Sequence, residues 1–170
     1  MNTTKRRIGL VVGTVSVLAL SACGGADRVE LGKVNYEDFT AQQIYERAEF
    51  DLARNNPELA AEVFAEVERL YPYSDLAKRS VIMQAFSHHE AKNYEDSRAS
   101  AQRFIDFYPT DEDAAYAQYL LALSYYDQID EVGRDQKLTF EALQALREVI
   151  ERYPESQYSR SAKLKIELAF

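Results

Sequence analysis

Between positions 39 and 170, apolar residues recur every three or four positions and divide the chain into helical segments. In residues 63–70, for example, the apolar side chains fall on one face of a helix, and no alternating strand pattern interrupts the series. Helix-stop and helix-start residues separate the segments, as at Asn56-Pro57, where Asn56 can cap a helix and Pro57 can fill its first position. The predicted helices are 41–54, 57–71, 75–92, 94–108, 113–128, 138–153 and 157–170.

The dipeptide Tyr-Pro recurs three times, each time directly after a helical segment. The copies are Tyr71-Pro72, Tyr108-Pro109 and Tyr153-Pro154, and they are spaced by 37 and 45 residues. A residue that can cap a following helix lies within two positions of each copy. Periods of this size with two helices per period are typical of an α-solenoid. We therefore predict an all-α fold built from successive helical hairpins.

Aligned on the proline of each copy, the repeats resemble the tetratricopeptide repeat. The resemblance places small residues where the two helices of a repeat cross, because a bulky side chain there would push the helices apart. The small positions are Ala48, Ala60, Ala85, Ser97, Ala122 and Ala142, and larger side chains accompany them at Phe64, Tyr94, Tyr125 and Leu146. The implied solenoid has about three and a half repeats, at about 41–74, 75–110, 111–155 and, in part, 156–170.

The third repeat is longer than the second by about eight residues. A polar segment with one glycine, Asp130 to Asp135, lies between its two predicted helices, and we expect an extended loop over 129–137. The last predicted helix, 157–170, shows no C-cap residue, no following turn and no partner helix. Because a solenoid needs a polar helix to close its core, we expect the sequence to be a fragment of a longer array.

Residues 5–24 have the pattern of a bacterial lipoprotein export signal. Three cations at positions 5–7 precede an apolar run from 8 to 20, which is shorter than the roughly 20 residues of a membrane-spanning helix. Leu20-Ser21-Ala22-Cys23 follows and matches a lipobox, with small residues directly before the only cysteine of the chain. We expect residues 1–22 to be a cleaved signal peptide.

Cleavage would leave Cys23 at the start of the mature chain, with diacylglycerol on its thiol. Residues 23–38 contain glycines among charged residues and show no periodicity, so we expect a tether there. Two or more acyl chains are sufficient for stable anchoring in a membrane. Gly24, rather than aspartate, follows the cysteine, and by resemblance to bacterial lipoproteins this permits transfer to the outer membrane. The alternative is an ordinary secretory signal in which Cys23 is incidental.

Charge and cysteine content narrow the range of partners. The formal charge is −8, and residues 1–22 hold three cations and no acid, so a chain that begins at Cys23 carries −11. Such an acidic chain is unsuited to nucleic acid or to anionic lipid headgroups, so its membrane contact must come from acyl chains. A single cysteine excludes a disulfide framework and a cysteine-based metal site.

The sequence shows no set of residues that indicates catalysis or metal binding. His88 and His89 are adjacent on a predicted helix, so they point in different directions and cannot chelate one ion together. The acidic residues of 127–135 lack the spacing of an EF-hand loop. No phosphate-binding loop or nucleophile–base motif appears. We expect a non-catalytic protein without a cofactor or a metal.

Tetratricopeptide arrays hold extended peptides in the concave groove that the first helix of each repeat lines. The alignment predicts a groove of mostly aromatic and aliphatic side chains with a few polar groups. Its positions are Gln42, Tyr45, Glu49 and Leu52, then Arg79, Ile82, Phe86 and His89, then Tyr116, Tyr119, Leu123 and Tyr126. This lining suits a partner with an apolar or aromatic extended segment. The alternative is that these side chains belong to the core, as aromatic stripes at helical spacing commonly do.

The order of lipobox, short tether and repeats with an expanded third resembles the BamD (ComL) lipoproteins of the outer-membrane β-barrel assembly machinery. The likeness is carried by the segments 69–74, 103–109 and 153–158, each of which contains one Tyr-Pro. It implies a non-catalytic subunit, anchored in the outer membrane and facing the periplasm, that binds unfolded barrel proteins beside an insertase subunit and sister lipoproteins. The alternative function is a periplasmic tetratricopeptide-repeat adaptor lipoprotein for cell-envelope or peptidoglycan-linked complexes.

Overall fold

In the computed structural model the described residues are 34–132 and 136–168, and within them the chain forms seven α-helices and no strand. The helices are α1 (Ala41–Ala53), α2 (Pro57–Leu70), α3 (Asp75–Glu90), α4 (Tyr94–Phe107), α5 (Ala114–Val132), α6 (Gln136–Arg152) and α7 (Gln157–Leu168). The predicted all-α fold is confirmed. The predicted signal peptide, the lipidation site Cys23 and the tether up to residue 33 lie outside the described residues.

Each helix packs against its neighbours in the chain, and alternate helices also meet. Helix α1 contacts α3, α3 contacts α5, and α5 contacts α7. Because the turns between consecutive helices are short, neighbours are antiparallel and these four helices run in the same direction. We call the surface that α1, α3, α5 and α7 form the first-helix face. The arrangement is that of a tetratricopeptide-like solenoid.

Each of the three Tyr-Pro turns contains the same type of backbone hydrogen bond. In the turns that begin at Tyr71, Tyr108 and Tyr153, the amide three positions later donates to the tyrosine carbonyl oxygen, at 3.0–3.1 Å. In the first and third turns that later residue is a serine, Ser74 or Ser156, whose hydroxyl oxygen accepts from an amide in the first turn of the next helix, at 3.0 and 3.1 Å. The sequence repeat is therefore also a repeat of turn geometry.

The small residues predicted at helix crossings are buried. Ala48, Ala60, Ala85, Ser97, Ala122 and Ala142 are at most 1% exposed. In the second repeat, α3 and α4 approach so closely that the Ser97 hydroxyl donates to the carbonyl oxygen of Ala85 at 2.8 Å. The Ser124 hydroxyl, on α5, donates to the Ser97 oxygen at 2.8 Å. The small side chains thus let three helices meet at short distance, as predicted.

Two apolar clusters make up the core. The smaller lies between α1 and α2 around Phe64, and the larger extends from α3 to α7 around Phe104 and Leu146. Met83 on α3 is partly buried and packs against both clusters. This methionine therefore joins the first hairpin to the rest of the array.

The expected loop over 129–137 is wrong for most of its length. Helix α5 continues through Val132 and α6 begins at Gln136, while 133–135 lie outside the described residues. Residues 129–132 contain no glycine or proline, so each can continue the helix, and Gly133 is the first residue that strongly disfavours one. The extra residues of the third repeat lengthen its helices to 19 and 17 residues, compared with 16 and 14 in the second.

Candidate functional site

An open depression lies on the first-helix face between α1 and α3. Its volume is about 410 Å³, within the range of protein ligand sites, which is about 300–1,000 Å³. It is lined by Glu49, Leu52 and Ala53 from α1 and by Met83, Phe86 and Glu90 from α3. The lining is therefore mostly apolar, and each helix adds one carboxylate to it.

Three residues of the predicted groove, Glu49, Leu52 and Phe86, line this depression. Tyr45 and Ile82 do not, because their side chains are buried, at 4% and 5% exposure. The Tyr45 ring meets the ring of Phe64 edge-on, with centroids 5.2 Å apart, and the Arg79 guanidinium lies 5.6 Å from its centre. Tyr45 and Ile82 therefore belong to the core and not to the groove surface.

Three of the four predicted groove residues of the third repeat, all tyrosines, contact α7. The ring of Tyr158 lies 5.2 Å from that of Tyr116 and 5.5 Å from that of Tyr119. The Lys165 ammonium lies 4.2 Å from the centre of the Tyr126 ring. Burial raises the pKa of Tyr116 to about 12. Helix α7 thus covers much of the α5 surface that was predicted to line the groove in the third repeat.

His89 takes part in a polar chain that crosses three helices. Its Nε2 donates to Asp127 Oδ2 at 3.1 Å, and Asp127 Oδ1 lies 3.7 Å from Lys165 Nζ. Burial acts to raise the pKa of Asp127, but the hydrogen bond from His89 and the charge of Lys165 outweigh burial, so the pKa lies below its ordinary value. This chain ties α3, α5 and α7 together along the first-helix face.

The sequence pattern did not predict three of the residues that line the depression, namely Ala53, Met83 and Glu90. Each directly follows a residue that was predicted, and one position along a helix turns the side chain by about 100°. Of the remaining predicted residues, Gln42 and Arg79 are exposed and Leu123 is half-buried, and none of the three lines the depression. The proline alignment thus includes both helices that line the depression, α1 and α3, but it did not fix which of their side chains point into it.

Across 34–132 and 136–168, no group of three or more histidine, cysteine, aspartate or glutamate side chains is placed to hold a metal ion. His88, beside His89 on α3, is half-buried, and burial lowers its pKa.

Within the described residues, no helix combines the length and the apolar character needed to cross a bilayer.

Comparison with known proteins gives one consistent result. Residues 37–169 match the family YfiO, described as outer membrane lipoprotein. The chain is 38% identical over 152 residues to outer membrane protein assembly factor BamD of Caulobacter vibrioides, which covers 89% of this chain and 50% of the relative. For BamD of Rickettsia prowazekii the identity is 37% over 109 residues, covering 64% and 43%. For BamD of Neisseria meningitidis it is 27% over 164 residues, covering 90% and 61%.

The chain spans about half the length of the first two of these relatives. The family match extends over all seven described helices, the three Tyr-Pro turns and the depression between α1 and α3. The helical fold, the repeated Tyr-Pro turns and the sequence similarity thus indicate the same family over more than half of the sequence. The chain belongs to the YfiO family of outer membrane lipoproteins, the family of the BamD assembly factors.

Proposed function

We propose that this chain is part of a non-catalytic lipoprotein subunit of the outer-membrane β-barrel assembly machinery, where it binds unfolded barrel proteins and holds them for insertion. A lipid on Cys23 anchors it in the outer membrane, facing the periplasm, and an insertase subunit and sister lipoproteins are its partners. The observation that carries the proposal is the open apolar depression between α1 and α3, in a family whose relatives are named outer membrane protein assembly factors.

The depression has the chemistry that an unfolded barrel strand requires. Such strands alternate apolar lipid-facing side chains with polar ones, and in an extended chain every second side chain points the same way. Leu52, Met83 and Phe86 provide apolar surface for one such row. Methionine adapts its shape to different partners, which suits a groove that meets many client sequences. A client must also be released, so micromolar affinity, about −8 kcal/mol, fits the role.

Replacing both Leu52 and Phe86 with alanine should weaken peptide binding at least about tenfold. Burying one large apolar side chain contributes about 1.5–3 kcal/mol, and a tenfold change in affinity corresponds to about 1.4 kcal/mol. The measurement is fluorescence anisotropy. A labelled peptide from the C-terminal strand of an outer-membrane barrel, ending in an aromatic residue, is titrated with the purified full chain in detergent.

Phe107→Ala is the matched control for this experiment. Phe107 is a 67% exposed aromatic residue on α4, which is not part of the first-helix face, so its removal should leave the Kd unchanged. An equal loss of affinity in the control would show that the peptide does not use the depression. If the wild-type chain is helical by circular dichroism and binds no peptide, the receptor proposal fails and the adaptor alternative is favoured.

The lipid anchor has a separate test. Expressed in a Gram-negative host with radiolabelled palmitate, the wild-type chain should carry the label and fractionate with membranes, whereas Cys23→Ser should do neither. Serine is close in size to cysteine but lacks the thiol that diacylglycerol alkylates. Ser21→Ala, which keeps a small residue in the lipobox, should remain labelled. Labelling of Cys23→Ser would disprove the anchor.

A further inference from the structure

Among the described residues, the two carboxylates of the depression have no strong cationic partner. Glu49 and Glu90 are both exposed, and no lysine or arginine of this part of the chain forms an ion pair with either. The His89 imidazole, which is charged only when it is protonated, lies beside Glu90, with Nδ1 3.9 Å from Glu90 Oε1, while its Nε2 is engaged with Asp127. The depression therefore presents negative charge beside an apolar surface.

The corresponding position of the next repeat is neutralised within the molecule. Asp127 follows Glu90 by 37 residues, which is the spacing of the first two Tyr-Pro turns. Asp127 lies against His89 and against Lys165, whose ammonium also sits over the Tyr126 ring at 4.2 Å. Between α5 and α7 a lysine thus occupies a site made of a carboxylate and an aromatic ring.

The depression between α1 and α3 also combines carboxylates with an aromatic ring, and none of the described residues that line it is a lysine. Phe86 and Glu90 lie one turn apart on α3, and Glu49 faces them from α1. Helices α1 and α3 also end beside this point, at Ala53 and Glu90, and the C-terminal end of a helix carries partial negative charge. Each of these features favours a cation at this place.

We propose that the depression between α1 and α3 selects extended peptide segments that carry a lysine or arginine two positions from a large apolar residue. The inference rests on the proposed function, because it specifies which client segments the same groove holds. Side chains two positions apart in an extended peptide point to one side, about 6.6 Å apart. The apolar side chain contacts Leu52 and Met83, and the cation lies near Glu49 and Glu90.

Two labelled peptides that differ at one position test the selectivity. One contains Phe-Thr-Lys and the other Phe-Thr-Gln in an otherwise identical barrel-strand sequence. We expect the lysine peptide to bind the full chain in detergent roughly fivefold more tightly at low salt, as exposed ion pairs allow. Added sodium chloride should reduce that preference. The double variant Glu49→Gln, Glu90→Gln should lose the preference and still bind the glutamine peptide within about twofold of wild type.

The control variant is Glu58→Gln combined with Glu151→Gln. Both residues are exposed, on α2 and α6, and their replacement changes the net charge by the same amount. The control should keep the preference for lysine. If it loses the preference as fully as the groove variant, overall acidity causes the attraction and the proposal is overturned.

Equal binding of the two peptides to the wild-type chain also overturns the selectivity, but it leaves the proposed peptide-binding function in place. If neither peptide binds, both the selectivity and the proposed function fail.

Discussion

Replacing Phe104 with alanine should lower the free energy of unfolding by about 3–5 kcal/mol, which is the typical cost of deleting a buried phenylalanine ring. Phe104 is fully buried in the larger apolar cluster, and its ring lies 5.3 Å from that of Tyr108 in the Tyr-Pro turn. Its loss removes apolar contacts and leaves a cavity at the point where α4 packs on its neighbours. A domain has about 5–15 kcal/mol of stability in total, so this one change removes a large share.

Urea unfolding followed by circular dichroism measures the effect. Phe107→Ala deletes an identical ring from the same helix, and because Phe107 is 67% exposed, its removal should cost about 0.5 kcal/mol or less. Both variants carry the same substitution in the same helix, so the difference between them reports mainly the burial of the Phe104 ring. Coincident unfolding curves for the two variants would contradict the burial of Phe104.

The second large effect is expected for Ser97→Leu, at about 2–5 kcal/mol of lost stability. Leucine at a fully buried helix crossing overpacks the interface, which costs about 1–3 kcal/mol. It also removes the hydrogen bond from the Ser124 hydroxyl to Ser97 and the one from Ser97 to the Ala85 carbonyl, each worth about 1 kcal/mol, while Ser124 keeps the Leu120 carbonyl oxygen as an acceptor at 3.0 Å. Thermal unfolding of the variant should therefore begin well below that of the wild-type chain.

Two further variants separate the contributions at this crossing. Ser97→Ala removes the hydroxyl without adding volume, so it should cost less than Ser97→Leu. Ala99→Leu introduces a leucine at an exposed position two residues away on α4, and because alanine and leucine are both good helix formers it should be nearly neutral. If Ser97→Leu is no less stable than Ser97→Ala, the two helices do not cross as closely as the Ser97–Ala85 hydrogen bond requires.

The repeat architecture was predictable because its signals are local. Each Tyr-Pro turn is closed by hydrogen bonds among residues three positions apart, so the residues that specify the turn are neighbours in the sequence. The small crossing residues follow from the steric requirement that two helices impose on each other. For α1, the capping box of Thr40 and Gln43 likewise places the start of the helix within a few residues.

The lengthened third repeat was not predictable from composition. Polar residues with one glycine suggest a loop, but aspartate and glutamate are acceptable inside a helix, and only Gly133 weakens it strongly. Whether such a segment is helical depends on what precedes it. Here α5 carries a long apolar face that packs against α4 and α6, and the helix continues past that face through Val132.

The candidate site was predicted at the level of helices and only in part at the level of residues. On a helix, Phe86 has neighbours on its own face both three and four positions away, so spacing alone cannot decide between Ile82 and Met83. The covering of Tyr116 and Tyr119 by Tyr158 depends on contacts between repeats. Such contacts join residues about 40 positions apart, and no local pattern in the sequence contains them.

Met83 has a mechanical consequence. It touches both apolar clusters and also forms part of the floor of the depression. A client segment bound in the depression would contact this side chain at the place where the first hairpin packs against the rest of the array. We therefore expect a bound client segment to make the array stiffer against bending between the first hairpin and the second. The reason is that the Met83 side chain would contact the client and both apolar clusters at once.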